Sequence, residues 1–118
     1  MPECKEILKA IQRISKAQHE LREGDILTAY LLLGAGLTSL SAAAKEYTGL
    51  KERINREIRI LGGYEQTLRD IAYKYEYGQV SEIEVGMLQT ADHELELAIN
   101  RLGTLYKDCR GGQEVKIE

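Results

Sequence analysis

The two histidines of this chain, His19 and His93, stand close to carboxylates in the sequence and are its candidate metal ligands. If the segments that hold them are antiparallel helices, His19 comes within about one turn of Asp92 and Glu96. Imidazole nitrogens and carboxylate oxygens together are typical ligands of zinc and other transition metals. However, neither histidine lies on an apolar stripe, and the Glu-x-x-His spacing of di-iron bundles is absent. We therefore expect a solvated polar cluster, with a metal-binding or small-ligand-binding bundle as an alternative.

Cys4 and Cys109 are the only cysteines and lie near opposite ends of the chain. In the same antiparallel arrangement they share one end of the bundle and occupy inward-facing positions, so the two sulfurs are predicted to be close. A bond between them would close a very long loop and contribute about 4 to 5 kcal/mol in the chain-entropy model. Because the sequence looks intracellular, we expect two reduced, buried thiols and hold the disulfide as the alternative.

No motif of a well-known enzyme is found in the sequence. There is no glycine-rich phosphate loop after a strand, no serine or cysteine nucleophile with a recognisable base, and no carboxylate pair of the nucleotide pyrophosphohydrolase bundles. We therefore expect no cofactor and do not favour an enzyme. The net charge of -3 and the isoelectric point near 5.5 provide no basic field for a phosphate backbone, so no nucleic-acid partner is expected.

An interaction surface is predicted around three tyrosines at alternate positions, Tyr73, Tyr75 and Tyr77. Only Tyr75 falls on the apolar stripe of its predicted helix, which leaves Tyr73 and Tyr77 one turn apart and facing outward. Tyrosine is favoured at interfaces because its large apolar ring carries a polar tip. The full set of predicted interface residues is Tyr64, Tyr73, Tyr77, Glu82 and Glu84.

Charge is unevenly distributed along the second half of the chain. Residues 79 to 100 include five acidic residues and no Lys or Arg, whereas residues 51 to 59 hold four basic residues and two glutamates. A molecule polarised in this way can pair head to tail with a second copy or meet a charged partner. We therefore expect a protein partner or self-association, with a homo-oligomer favoured.

Helices must position these residues, because apolar side chains recur three and four residues apart along most of the chain. The first helix is predicted from Pro2 to about Gly24, and Asp25 is placed to cap the next one. Ser81 and Glu84 form a capping-box pattern that starts the last helix. The predicted core positions of that helix are Leu88, Ala91, Leu95, Ala98, Leu102, Leu105 and Cys109.

The second helix, predicted from Ile26 to about Thr48, begins with nineteen residues that carry no charge. A run of this length can span a membrane, but two glycines and several hydroxyl-bearing residues dilute it, and the other segments are ordinary charged amphipathic helices. We expect the central buried helix of a soluble bundle and keep a membrane-associated protein that spans with residues 26–44 as the alternative.

The middle of the chain contains a glycine pair, Gly62 and Gly63. Residues 50 to 61 are predicted to be helical, either continuous with the second helix or separate from it. Two adjacent glycines cost about 2 kcal/mol inside a helix, so a turn or sharp kink is predicted at the pair. A new helix is then expected from about Tyr64 to Gly78.

Together these patterns predict an all-α protein, an antiparallel four- to five-helix bundle with one domain over residues 1–110 and a tail over residues 111–118. A chain of 118 residues with 43% hydrophobic and 30% charged residues is long enough and apolar enough for one core. Its first residues lack the pattern of a secretory signal, so a cytoplasmic location is expected. The expected function is protein–protein contact, as an oligomeric adaptor, inhibitor or structural subunit.

Overall fold

A computed structural model of the chain describes residues 3–76, 78 and 80–111. Within them it contains four α-helices and no strand: α1 (Lys5–Arg22), α2 (Ile26–Glu46), α3 (Lys51–Glu76) and α4 (Glu82–Arg110). Short connections fold each helix back along the one before it, which gives an elongated antiparallel bundle of 49 × 19 × 18 Å. The predicted all-α bundle is confirmed, with four helices rather than five. Of the predicted tail, residues 112–118 lie outside the described part of the chain.

The turn between α1 and α2 is built from the residues that the sequence indicated. Gly24 has a left-handed backbone with φ of +86°, a conformation that a Cβ disfavours. Asp25 then caps α2, since its Oδ1 accepts a hydrogen bond from the Thr28 backbone N–H at 3.0 Å. The interaction with Thr28 lowers the pKa of Asp25 below its ordinary value. This tight turn makes α1 and α2 antiparallel neighbours, as predicted.

Helix α2 packs between α1 and α3. It packs closely against α1 at Gly36, where an added Cβ would lie 2.8 Å from Cγ1 of Ile14. Among the described residues, α2 is the one helix that is long and apolar enough to cross a membrane. Nine of its residues are buried inside the bundle, whereas Leu27 and Leu31 are exposed. The uncharged run therefore builds a large part of the core.

Helix α3 runs without interruption through Gly62 and Gly63, so the predicted turn at this pair and the predicted new helix after it are wrong. A Cβ built at either glycine meets no atom within 4 Å, so close packing does not require a glycine there. The buried face holds the helix together, because Ile54, Leu61 and Leu68 stand seven residues apart across the pair and are fully buried. Their packing offsets the conformational cost of the two glycines.

Helices α2 and α3 are separate, so the helical segment after residue 50 does not continue the second helix. Tyr47 ends α2, and a single 3-10 turn, Thr48–Leu50, redirects the chain into α3. Tyr47 and Leu50 are both buried, and burial raises the pKa of the Tyr47 hydroxyl. The connection is therefore part of the core.

Helix α4 has the start and the core face that the sequence predicted. Oγ of Ser81 accepts a hydrogen bond from the Glu84 N–H at 3.2 Å, and Oε1 of Glu84 accepts one from the Ser81 N–H at 3.1 Å. This is the complete capping box. Leu88 is half-buried, and the other predicted core positions are buried: Ala91, Leu95, Ala98, Leu102, Leu105 and Cys109.

A disulfide joins the start of α1 to the end of α4. The Sγ atoms of Cys4 and Cys109 are 2.05 Å apart, their Cα atoms are 6.3 Å apart, and both residues are fully buried. The antiparallel arrangement thus brings the two cysteines together as expected, but as the disulfide held as the alternative and not as reduced thiols. The bond spans 105 residues and fastens the first helix to the last.

Candidate functional site

Exposed apolar side chains are concentrated at one end of the bundle. Eight large apolar side chains are exposed among the described residues, and seven of them lie where α1 turns into α2 and where α3 is followed by α4. Only Leu8, near the disulfide, lies at the opposite end. We call the seven residues the apolar end: Leu27 and Leu31 of α2, Tyr73 and Tyr75 of α3, and Ile83, Val85 and Met87 of α4.

The first nine residues of α4, 82–90, contribute no buried side chain to the bundle. Ile83 is the most exposed of the large apolar residues, at 78%. The capping box nevertheless keeps this segment helical, and Nζ of Lys74 adds an ion pair with Oε2 of Glu84 at 3.0 Å. The Ser81 backbone N–H, helped by Lys74, lowers the pKa of Glu84 below its ordinary value. The segment is therefore a preformed helix whose apolar residues face water.

A cleft opens between α3 and α4 beside these residues. Its volume is about 410 Å³. Gly86 lies in its wall and is exposed, and a Cβ built there would meet no atom within 4 Å. Ile83 and Met87 flank Gly86 on α4. The residues that line the cleft are Tyr64, Thr67, Ile83, Gly86, Met87 and Thr90.

The residues predicted for the interface occupy different environments. Tyr73 is 68% exposed, Tyr64 is half-buried in the wall of the cleft, and Glu82 is exposed. Glu84 is instead engaged by the capping box and by Lys74, and its side chain is only 12% exposed. Tyr77 lies outside the described residues.

Tyr75 was expected in the core, and that expectation is wrong. The residue is 49% exposed, and its hydroxyl lies beside the α1–α2 turn, 3.9 Å from the position of a Cβ on Gly24. The buried stripe of α3 ends at Ile71 and Ala72, one turn earlier. The apolar periodicity of α3 therefore continues for one turn past the last residues that neighbouring helices cover.

The exposed apolar residues of α4 were not predicted from the sequence. Ile83 and Met87 stand four residues apart, outside the heptad stripe that begins at Leu88, and this displacement was the available signal. That signal does not decide whether the two side chains are exposed, because isoleucine and methionine occur at both solvent-facing and core positions of a helix. The same is true of Leu27 and Leu31, which belong to an uncharged helix and looked like core residues.

The carboxylates proposed as metal ligands are held by an arginine. Nε of Arg22 lies 3.1 Å from both carboxylate oxygens of Asp92, and Nε2 of Gln18 donates a hydrogen bond to Oδ1 at 2.8 Å. Glu96 lies farther away, with Oε2 at 4.0 Å from Nη2 of Arg22. The hydrogen bond to Asp92 and the negative charge of that carboxylate raise the pKa of Arg22. The arrangement is an ion pair between α1 and α4.

The two histidines do not complete a metal site around these carboxylates. Nε2 of His19 faces Oε1 of Glu23 on its own helix at 4.0 Å, and His93 is exposed on α4. Across residues 3–76, 78 and 80–111, no three His, Cys, Asp or Glu side chains converge in a geometry that could hold a metal ion. The structure shows the Arg22–Asp92 ion pair with the two exposed histidines beside it.

A second groove, of about 240 Å³, lies between α3 and α4 at the disulfide end. Its basic residues form ion pairs between the two helices. Arg101 holds both carboxylate oxygens of the buried Glu57, at 2.8 and 2.9 Å, and Nη2 of Arg53 lies 2.9 Å from Oδ2 of Asp108. Glu57 in turn raises the pKa of Arg101. Arg53, one of the four basic residues of the stretch 51–59, thus pairs across to α4, and Arg56 lines the groove.

Comparison of the chain with protein-family models, with curated proteins and with solved structures found no match.

Proposed function

We propose that this chain is a small soluble protein that acts by protein–protein contact through the apolar end. The roles that fit are those of an oligomeric adaptor, an inhibitor or a structural subunit. The observation that carries the proposal is the position of the exposed large apolar residues, of which seven of the eight in the described part of the chain lie at one end of the bundle. Clustered apolar side chains on a soluble protein mark interaction surfaces, whereas singly scattered ones do not.

The energetics favour a partner at this end. Full burial of one aliphatic or aromatic side chain contributes about 1.5 to 3 kcal/mol. Ile83 and Tyr73 are exposed over most of their surface in the isolated chain, and Met87 is 41% exposed, so a partner that covers them gains a part of that contribution from each. The capping box already holds the start of α4 as a helix, so binding requires little additional ordering of the backbone.

The membrane-associated alternative depends on α2. This helix is long and apolar enough to cross a membrane, but its buried residues form contacts that a membrane span would have to give up, including those of the fully buried Leu33 and Leu40. The packing supports the soluble protein. Flotation of the purified chain with vesicles tests the alternative, and stable co-flotation that survives high salt would favour it over our proposal.

Photo-cross-linking in cells tests the proposed contact. A photo-reactive phenylalanine derivative placed at Ile83 is expected to cross-link to protein in good yield, because that side chain would be covered by the partner. The matched control carries the same derivative at Leu8, an exposed apolar residue at the opposite end. Mass spectrometry identifies the cross-linked protein, whether it is this chain or another. Equal yields at the two positions would refute the proposal.

A further inference from the structure

We infer that the disulfide between Cys4 and Cys109 is a redox-sensitive latch: when a dithiol reduces it, the end of α4 comes away from a bundle in which α1, α2 and α3 stay packed. This inference is independent of what binds the apolar end. It starts from the way in which α4 is attached. The chain connects α4 to α3 through residues 77–81, and the disulfide joins the last turn of α4 to the residue before α1. The helix is therefore anchored at both ends when the bond is oxidised and at one end when it is reduced.

Helix α4 contributes the smaller part of the apolar core. Among the described residues, twelve Ile and Leu side chains are at most 2% exposed, and only three of them, Leu95, Leu102 and Leu105, belong to α4. The other nine lie on α1, α2, α3 and the turn before α3. Residues 82–90 of α4 bury no side chain, so the helix is held mainly by its disulfide half. The three other helices keep most of the large apolar side chains when that half moves away.

The polar links of that half are weaker than the covalent bond. Nη2 of Arg53 lies 2.9 Å from Oδ2 of Asp108, but both side chains are accessible to water, so this ion pair contributes little to the hold on α4. The pair of Arg101 with the buried Glu57 gains Coulomb energy that the desolvation of both groups largely offsets. When α4 moves away, water solvates both of these ions again. The disulfide is therefore the strongest single link at this end.

Access to the bond requires a local opening, because Cys4 and Cys109 are both fully buried. The start of α1 is the weaker side. Cys4 has a φ of +56°, a left-handed conformation that a Cβ disfavours. It is also the N-cap of α1, and its side chain makes no hydrogen bond to the free amides of the first turn. Opening of this turn exposes the bond to a reductant without unfolding the rest of the bundle.

The reduction is an exchange between thiols and a disulfide. One thiolate of the dithiol attacks a sulfur of the protein bond, and the other protein sulfur leaves as a thiolate and takes up a proton. The second thiol of the reductant then displaces the protein from the mixed disulfide. Two electrons and two protons pass to the protein, which gains two thiols, and the dithiol becomes a disulfide.

Hydrogen exchange followed by mass spectrometry tests the latch on the full chain, oxidised and after reduction with dithiothreitol. The intact bond restricts the detached state of α4, so its reduction should speed amide exchange over residues 95–110 by at least about a hundredfold. In the same reduced sample those amides should exchange at least about tenfold faster than the buried amides of α2. Oxidation with oxidised glutathione should restore the slow exchange of α4.

Cys4→Ala with Cys109→Ala is the matched control. It should show the exchange pattern of the reduced chain, and dithiothreitol should leave that pattern unchanged. Exchange of α4 that does not respond to reduction of the bond would overturn the inference. So would equal protection of α2 and α4 in the reduced chain, because the bundle would then open as one unit. An effect of dithiothreitol on the double variant would show that the reductant acts elsewhere than on this bond, which also contradicts the latch.

Discussion

Two ion pairs join α3 to α4, one at each end of the bundle. Lys74 and Glu84 hold the two helices together at the apolar end, and Glu57 and Arg101 do so at the disulfide end. In the first pair the Lys74 side chain is exposed and that of Glu84 is 12% exposed, whereas the Glu57 carboxylate of the second pair is buried. Removing one member should therefore have very different consequences in the two places.

Glu84→Gln should make the stability of the chain less dependent on pH. The pKa of Glu84 is lowered in the folded protein, so its ionised form stabilises the fold above the pKa of the unfolded chain, and that contribution is lost as the pH falls through the folded value. Glutamine keeps the capping geometry but has no charge. Thermal unfolding followed by circular dichroism should give the original chain a higher unfolding temperature than the variant at pH 7. The difference between the two unfolding temperatures should disappear below about pH 4. Glu82→Gln, in the same turn, is the control, and an unchanged difference at low pH would contradict this assignment.

Arg101→Ala should lower the free energy of unfolding by about 2 kcal/mol, because it leaves the buried Glu57 carboxylate without its bidentate partner. The double variant Glu57→Gln with Arg101→Ala removes the stranded charge and should recover part of the loss. Urea unfolding at neutral pH measures both. If the single and double variants lose the same amount, an unpaired buried charge is not the cause.

Individual helices are stabilised chiefly by the faces they bury, and α3 is the clearest case. It contains a glycine pair that should interrupt it, yet the buried stripe from Ile54 to Ile71 continues through Gly62 and Gly63. Glycine is therefore structurally required at some helix positions of this bundle and not at others. In α3 it is tolerated, and at Gly36 of α2 it is needed for close approach to Ile14.

Gly62→Ala and Gly63→Ala should each raise the free energy of unfolding by about 0.5 to 1 kcal/mol, because both positions are helical and open to an added methyl group. Gly36→Ala should do the opposite, since its Cβ would lie 2.8 Å from Cγ1 of Ile14. Chemical denaturation of the three variants measures these changes in the free energy of unfolding. Destabilisation by alanine at position 62 or 63 would show that the helix is interrupted there.

The molecule as a whole has two unlike ends. A buried disulfide closes one end, and exposed apolar residues occupy the other. The location of the protein remains a prediction, and the disulfide bears on it. Disulfides persist mainly in oxidising compartments and, within cells, in hyperthermophilic organisms. A cytoplasmic location therefore fits best in an organism of that kind, and a location outside a reducing cytoplasm is the competing proposal.

Cys4→Ala with Cys109→Ala should lower the free energy of unfolding by about 4 to 5 kcal/mol, because the bond restricts a very long segment of the unfolded chain. The protein purified without reductant should show no reactive thiol even after denaturation. Urea unfolding and thiol titration measure the two expectations. Two reactive thiols in the denatured, unreduced protein would contradict the disulfide.

Local patterns predicted those parts of the fold that depend on neighbouring residues. The Asp25 cap, the Gly24 turn and the Ser81–Glu84 capping box are interactions within one turn of chain, and each forms as predicted. The core face of α4 was also predicted correctly, because side chains three and four residues apart necessarily share a face of a helix. These features require no knowledge of what packs against them.

The candidate site was predicted only in part, for the opposite reason. Tyr73 and Tyr64 belong to it, but the large exposed residues of α4 were missed, and Tyr75 was assigned to the core. Whether an apolar residue on a helix is covered depends on where the neighbouring helices end. That position is a property of the assembled bundle.

The sequence by itself therefore determined the all-α class, the caps at Asp25 and Ser81 and the core face of α4, because hydrogen bonding and side-chain periodicity act within a few residues. Only the tertiary structure decided that α3 continues through its glycine pair, that Cys4 bonds to Cys109 and that one end remains apolar and uncovered. Each of these depends on which distant residues become neighbours, and that is set when all four helices pack together at once.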